Sequence, residues 1–231
     1  MSQTPGIEAA VGSSLTDIVG IIAEPQTYKN LLYLLLAFPL GMVYYVILMV
    51  GFTLGIGLSV LVVGLGVLLV TVIGLRFIAA FERTLANALL DTAIPAPDDV
   101  SKAADGFTGT AKAYLRAPST WRGLGFVALK FWVGILSFVL LVTFLGTAVE
   151  LLLLPLFPGG VFEVQVAGWE VAQSVETTTQ RAIAVPVGGA LAIVALHILN
   201  AFAGANASIA LSLLGPRGHD TTAQTEAEQT A

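Results

Sequence analysis

The sequence predicts an all-α polytopic membrane protein with four transmembrane helices built as two tandem hairpin repeats. Three observations carry that reading. Of the 231 residues, 56% are hydrophobic and 11% charged, whereas a soluble domain carries about 25% charged residues. The apolar residues gather in runs of the length a bilayer needs, about 20 residues per helix. Finally, Pro25-x-Thr27-Tyr28-Lys29-x-Leu31-x-Tyr33 returns 93 residues later as Pro118-x-Thr120-Trp121-Arg122-x-Leu124-x-Phe126. The match runs on through Phe38 and Phe131, Gly41 and Gly134, and Tyr45 and Phe138. Each copy sets a proline, a threonine able to cap, an aromatic and one cation ahead of a long apolar run. That is the grammar of a chain entering a bilayer from water. Its duplication points to two similar hairpins related by a pseudo-twofold axis.

The N-terminal segment, residues 1–26, is polar or weakly amphipathic. Ile7, Val11, Leu15, Ile18 and Ile22 fall on one helical stripe. The segment reads either as a surface helix or as a frayed tail. The first span is expected at about 31–50, and the second at about 54–75 after a glycine-containing turn near Gly51–Gly55. The helical pattern then continues beyond the membrane, with Phe77, Phe81, Leu85, Ala88 and Leu89 as a stripe and Glu82 and Arg83 opposite. That extension is expected to project into water and stop before Pro95.

A polar connector, 76–122 between the spans, holds Pro95, Pro97, Asp98, Asp99, Gly106 and Gly109. A short amphipathic helix is expected at about 100–115. The third span is placed at about 124–145, with helical pattern as far as Leu154. Lys130, near its start, is expected to snorkel to the interface. An external loop, 155–181, follows, and Val161, Glu163, Gln165 and Trp169 hint at a short hairpin. The fourth span is placed at about 183–205 within a helix reaching Leu214. Residues 216–231 form a polar tail expected to be disordered. Ala88-Leu89-Leu90-Asp91 is echoed by Ser212-Leu213-Leu214-Gly215. That spacing exceeds the first by about 31 residues, so the second copy carries the outer loop as an insertion.

Cations distribute unevenly. Arg76, Arg83, Lys102, Lys112, Arg116 and Arg122 crowd the connector, while the 155–181 loop carries Arg181 against several glutamates. The positive-inside rule places both termini and the connector in the cytoplasm of a multi-pass cell-membrane protein.

No catalytic constellation is present, and the chain is not expected to be an enzyme or to hold a cofactor. It has no cysteine, which excludes disulfides and thiol chemistry. Its two histidines, His197 and His219, are too few for an imidazole metal site. The formal charge of −5, with no dense basic cluster, argues against a nucleic-acid partner. The bilayer itself is the first partner.

The candidate residues are the polar ones within the spans: His197, Asn200 and Asn206 in helix 4, and Arg76 and Glu82 at the inner end of helix 2. They read either as a ligand or proton-sensing pocket or, preferably, as interhelical hydrogen bonds. Ala201, Gly204, Ala205 and Ser208 give the small-residue spacing that lets helices approach. Tyr28, Lys29, Trp121 and Arg122 read as membrane-interface anchors, joined by Tyr33 and Phe126. Tyr44 and Tyr45 read as core or lipid-facing aromatics.

The segments FPLG (Phe38–Gly41), FxxxFERTLANALLDTAIP (Phe77–Pro95), PSTWR (Pro118–Arg122) and PVGGALAIVALHILN (Pro186–Asn200) resemble the "putative sensor" membrane domain. That resemblance spans roughly residues 25–215. It implies a four-helix input module of the kind often found ahead of histidine kinases. With only a short tail after helix 4, the expectation here is a stand-alone sensor acting through a partner such as a kinase or regulator. A small homo-oligomeric transporter or channel is the alternative, and a structural or accessory membrane protein the third reading.

Overall fold

The computed structural model describes residues 20–61, 63–97, 113–156, 164–166, 169–172 and 178–216. The surface-helix stripe at Ile7–Ile18, most of the connector, Val161, Glu163, the tail and His219 lie outside the described residues. Among those described, four helices are long and apolar enough to cross a membrane. They are α1 (Pro25–Gly57), α2 (Val63–Leu89), the third span (Pro118–Leu156) and α5 (Thr178–Leu214). The third span comprises α3 (Pro118–Leu140), a π-helical stretch (Leu141–Gly146), α4 (Thr147–Leu153) and a last 3-10 turn. The expected hairpin is there: β1 (Val164–Val166) pairs antiparallel with β2 (Trp169–Ala172), aligning Val166 with Trp169 and Gln165 with Glu170.

The turn between α1 and α2 is not at Gly51–Gly55. Helix α1 runs unbroken to Gly57, and the turn and bend that follow occupy residues 58–61. The glycines serve packing instead. A Cβ on Gly51 would collide with the Thr71 side chain, and one on Gly55 with Leu68. Both glycines therefore let α2 lie close against the end of α1.

Helix α2 ends at Leu89 through its own side-chain chemistry. The Asn87 amide oxygen accepts from the Ile94 backbone N–H at 2.9 Å and from the Thr92 hydroxyl at 2.9 Å, and its Nδ2 donates to the Ile94 carbonyl. Asp91 adopts a left-handed φ of 51° to make that return, a conformation Asp tolerates better than most residues. Replacing Asn87 with alanine is expected to cost about 1 kcal/mol, the typical worth of a terminal side-chain cap. Equilibrium unfolding in mixed micelles measures it.

The chain divides into two compact units, and the long helices contribute segments to each. The first unit takes the chain up to Leu35 together with Leu136–Ala203, and the second takes Leu36–Ile135 and the chain from Gly204. In the first, Gly188 of α5 sits against Leu151 and Leu152 of α4, where a Cβ would come within 2.8 Å of the Leu151 side chain. In the second, Tyr44, Leu48, Leu75 and Val127 form a buried cluster. Around it pack Leu40, Phe52, Ile78 and Leu124.

Burial follows the sequence repeat. In α1 the buried positions include Thr27, Tyr33, Leu34, Ala37, Gly41, Tyr44 and Leu48. In the third span their counterparts 93 residues on, Thr120, Phe126, Val127, Lys130, Gly134, Ser137 and Leu141, are also buried. Helices α2 and α5 share their buried positions at the larger offset: Thr71, Val72, Leu75, Ala79, Glu82 and Ala86 answer to Ala195, Leu196, Leu199, Ala203, Asn206 and Ala210. Within the second unit the crossing of α1 and α3 is reciprocal. A Cβ on Gly41 would lie 2.8 Å from the Lys130 carbonyl oxygen, and one on Gly134 would lie 2.5 Å from the Ala37 carbonyl oxygen.

Burial distinguishes the inner from the outer helix faces. Phe77 and Phe81 are exposed, at 72% and 51%, while Glu82 is fully buried. Phe77 and Phe81 therefore lie on the outer face of α2, and Glu82 on its inner face. In lipid an apolar face gains nothing by turning inward, and a carboxylate loses heavily by turning out. Likewise Ala201, Gly204, Ala205 and Ser208 all face outward, and no atom would crowd a Cβ on Gly204. That stripe closes no helix contact among the described residues.

Candidate functional site: a buried charge pair

The second unit holds an ion pair sealed from its surroundings. Lys130 Nζ of α3 lies 2.8 Å from Glu82 Oε2 of α2, with the two side chains 1% and 0% exposed. Lys130 does not snorkel. Five residues beyond Gly125 and four before Gly134, its stem points into the bundle because the close α1–α3 crossing holds its backbone against Gly41. The ammonium also stands 5.8 Å from the Phe126 ring centre, within cation–π range.

The pair is incompletely satisfied. Glu82 Oε1 and the Tyr44 hydroxyl are both buried without a hydrogen-bond partner among the described residues. The Tyr44 hydroxyl lies beside the Glu82 carboxylate without meeting it in hydrogen-bond geometry. A potential acceptor and a potential donor thus lie near each other in an apolar interior, where a polar group left without a partner costs about 1–3 kcal/mol. Charges in such a place persist when paired, and truncating either partner strands the other.

Two smaller networks flank the repeat positions. In the second unit, Arg76 Nη1 donates to Thr120 Oγ1 at 2.7 Å and to Ser119 Oγ at 3.0 Å, and its guanidinium stands 5.0 Å over the Tyr114 ring. In the first unit, Asn200 Nδ2 donates to Thr27 Oγ1 at 2.9 Å, and Asn30 Nδ2 donates to Asn200 Oδ1 at 3.0 Å. Thr27 and Thr120 are repeat counterparts, and so are Asn200 and Arg76 at the larger offset. The same logic recurs at the interface aromatics: the Tyr28 hydroxyl donates to the Ile22 carbonyl, and Trp121 Nε1–H to the Leu115 carbonyl.

Each sequence candidate now has a place. Glu82 forms the charge pair and Arg76 ties α2 to the first turn of α3. Asn200 ties α5 to α1, and Asn206 is buried at the repeat position of Glu82. His197 is exposed, its Nδ1 2.9 Å from the Ile193 carbonyl of its own helix. Lys29 is exposed, as are Tyr28 and Trp121. Arg122 reaches the end of α5, donating to the Gly215 carbonyl at 2.8 Å and to the Ser212 carbonyl. There it offsets the negative end of the helix. Tyr33 and Phe126 are not interfacial anchors: both are buried, at 1% and 3%. Tyr45 stacks on Phe131 at 4.3 Å between ring centres.

Four membrane-length helices, with a charge pair buried among three of them, define a multi-pass membrane protein. The chain belongs to the family described as "Putative sensor", whose model matches residues 8–214. No curated protein and no solved structure matches it.

Proposed function

We propose that the protein is an integral membrane signal-input module of the cell membrane that acts through a separate partner, such as a kinase or regulator. The observation that carries this is the buried Glu82–Lys130 pair with its unjoined Tyr44 hydroxyl. A sensor needs an element with two arrangements of similar energy. Here Glu82 can accept from Lys130 through Oε2 alone, or turn so that Oε1 also accepts a hydrogen bond from the Tyr44 hydroxyl. The choice moves α2 against α1 and α3, and Arg76 carries that movement to the start of α3. Membership of the sensor family supports the same reading.

The reciprocal glycine contacts and shared buried positions support a tandem duplication of one hairpin. The cation-rich connector supports a cytoplasmic position for that connector and both termini. Crosslinking in native membranes, followed by mass spectrometry, tests the proposal. A kinase or transcriptional regulator joined to the 76–122 connector is the expected product. Self-crosslinks alone would overturn the signalling reading.

A further inference from the structure

A cavity of about 240 Å³ opens in the second unit between the inner half of α2, the start of α3 and the end of α5. Arg76 and Arg83, two helical turns apart on α2, both line it, with Tyr114 and Ser119 adding hydroxyl groups. Phe77 and Leu213 supply apolar wall. No acidic side chain among the described residues lines it. Both guanidinium groups border the same cavity, and Arg83 forms no hydrogen bond or ion pair among the described residues. Ser119 belongs to the first turn of α3, a 23-residue helix whose positive end faces the same space.

Two like charges, a helix N-terminus and hydroxyl donors converge on a half-apolar cavity at the end of a membrane span. We propose that this cavity binds a phosphate-class anion, supplied by a phospholipid headgroup or by a soluble phosphate. Guanidinium groups suit phosphate because they offer paired, planar donors. The volume is below the 300–1,000 Å³ typical of drug-sized ligands and suits a headgroup. Because Arg76 also holds Ser119 and Thr120, an anion here bears on the α2–α3 joint. Binding stands independently of whether the protein signals.

The test uses the full chain in nanodiscs. Inorganic phosphate is titrated calorimetrically into phosphatidylcholine discs, and phosphatidylglycerol retention from mixed-lipid discs is counted by native mass spectrometry. Arg83→Gln is the diagnostic variant, since its loss breaks no bond among the described residues, and Lys29→Gln removes one exposed cation elsewhere as the control. Affinity is expected to fall about tenfold in Arg83→Gln, the worth of one charge-assisted contact, and to hold in Lys29→Gln. Saturable phosphate binding identifies the soluble source, and selective retention of phosphatidylglycerol identifies the lipid source. Absence of both, or equal binding by wild type and Arg83→Gln, overturns the site.

Discussion

Lys130→Met is expected to destabilise the protein by about 3–5 kcal/mol, the usual cost of removing one member of a buried pair. The loss does not measure the attraction between the charges. It measures the stranding of Glu82, which is fully buried and already has one oxygen without a partner among the described residues. Adding Glu82→Met should therefore restore most of the stability, bringing the double variant within about 1 kcal/mol of wild type, because two methionines fill similar volume without desolvated charge. Unfolding by detergent titration, followed by circular dichroism, gives all three values. A double variant about as unstable as the single variants would show that the pair contributes net stability over an apolar replacement, and would remove the argument that it is kept for something else. If the double variant folds well but no longer passes a signal, stability and function separate at this pair.

The pair also shows what was legible in the sequence. Four spans, the hairpin grammar and the 93-residue repeat stood in plain view, because hydropathy and proline placement are local properties. Glu82 was visible as a charge inside an apolar pattern, and helical periodicity correctly set it opposite Phe77 and Phe81. Which face was the inner one was not legible from that periodicity. In water the phenylalanines would turn inward, whereas in lipid they face out. Lys130 was hidden differently. A lone lysine six residues into a span has a stem long enough to reach the interface. Its partner lies 48 residues away, and no local pattern links the two. Gly51 and Gly55 misled for a related reason: glycine marks a turn in sequence but also marks close helix contact, and only the position of α2 decides between them.

The repeat gives the charge pair its meaning as a departure from symmetry. At the position of Lys130 the first copy has Ala37, and at the position of Tyr44 the second copy has Ser137. At the position of Glu82, helix α5 has Asn206, a neutral group of similar reach. All six positions are buried. The acid and the phenol of the first repeat copy thus answer to an amide and a hydroxymethyl in the second, and the base of the second to a methyl in the first. Burial alone does not call for that difference, since the counterpart positions Ala37, Ser137 and Asn206 are also buried.

Gly41→Ala and Gly134→Ala should each destabilise the protein by about 1–3 kcal/mol, the range for forcing added volume into a packed interior. In both cases the new methyl meets backbone, not a flexible side-chain tip: the Lys130 oxygen and Phe131 Cα for Gly41, the Ala37 oxygen and Phe38 Cα for Gly134. The only relief is for α1 and α3 to separate along their crossing. Once one methyl has forced that separation, the second enters space already opened. The double variant should therefore cost less than the sum of the singles, by about 1 kcal/mol or more, a coupling expected of groups sharing one contact. Gly125→Ala, on the same helix where a Cβ meets nothing within 4 Å, should be neutral or slightly stabilising. Additive losses in the double variant would mean that the two glycines guard separate contacts, and the reciprocal crossing would no longer account for the burial of Lys130. Because Gly41 bears directly on the Lys130 carbonyl, its variant should also weaken the grip on Glu82. In a background already carrying Glu82→Met and Lys130→Met, Gly41→Ala should then cost less than it does in the wild-type chain.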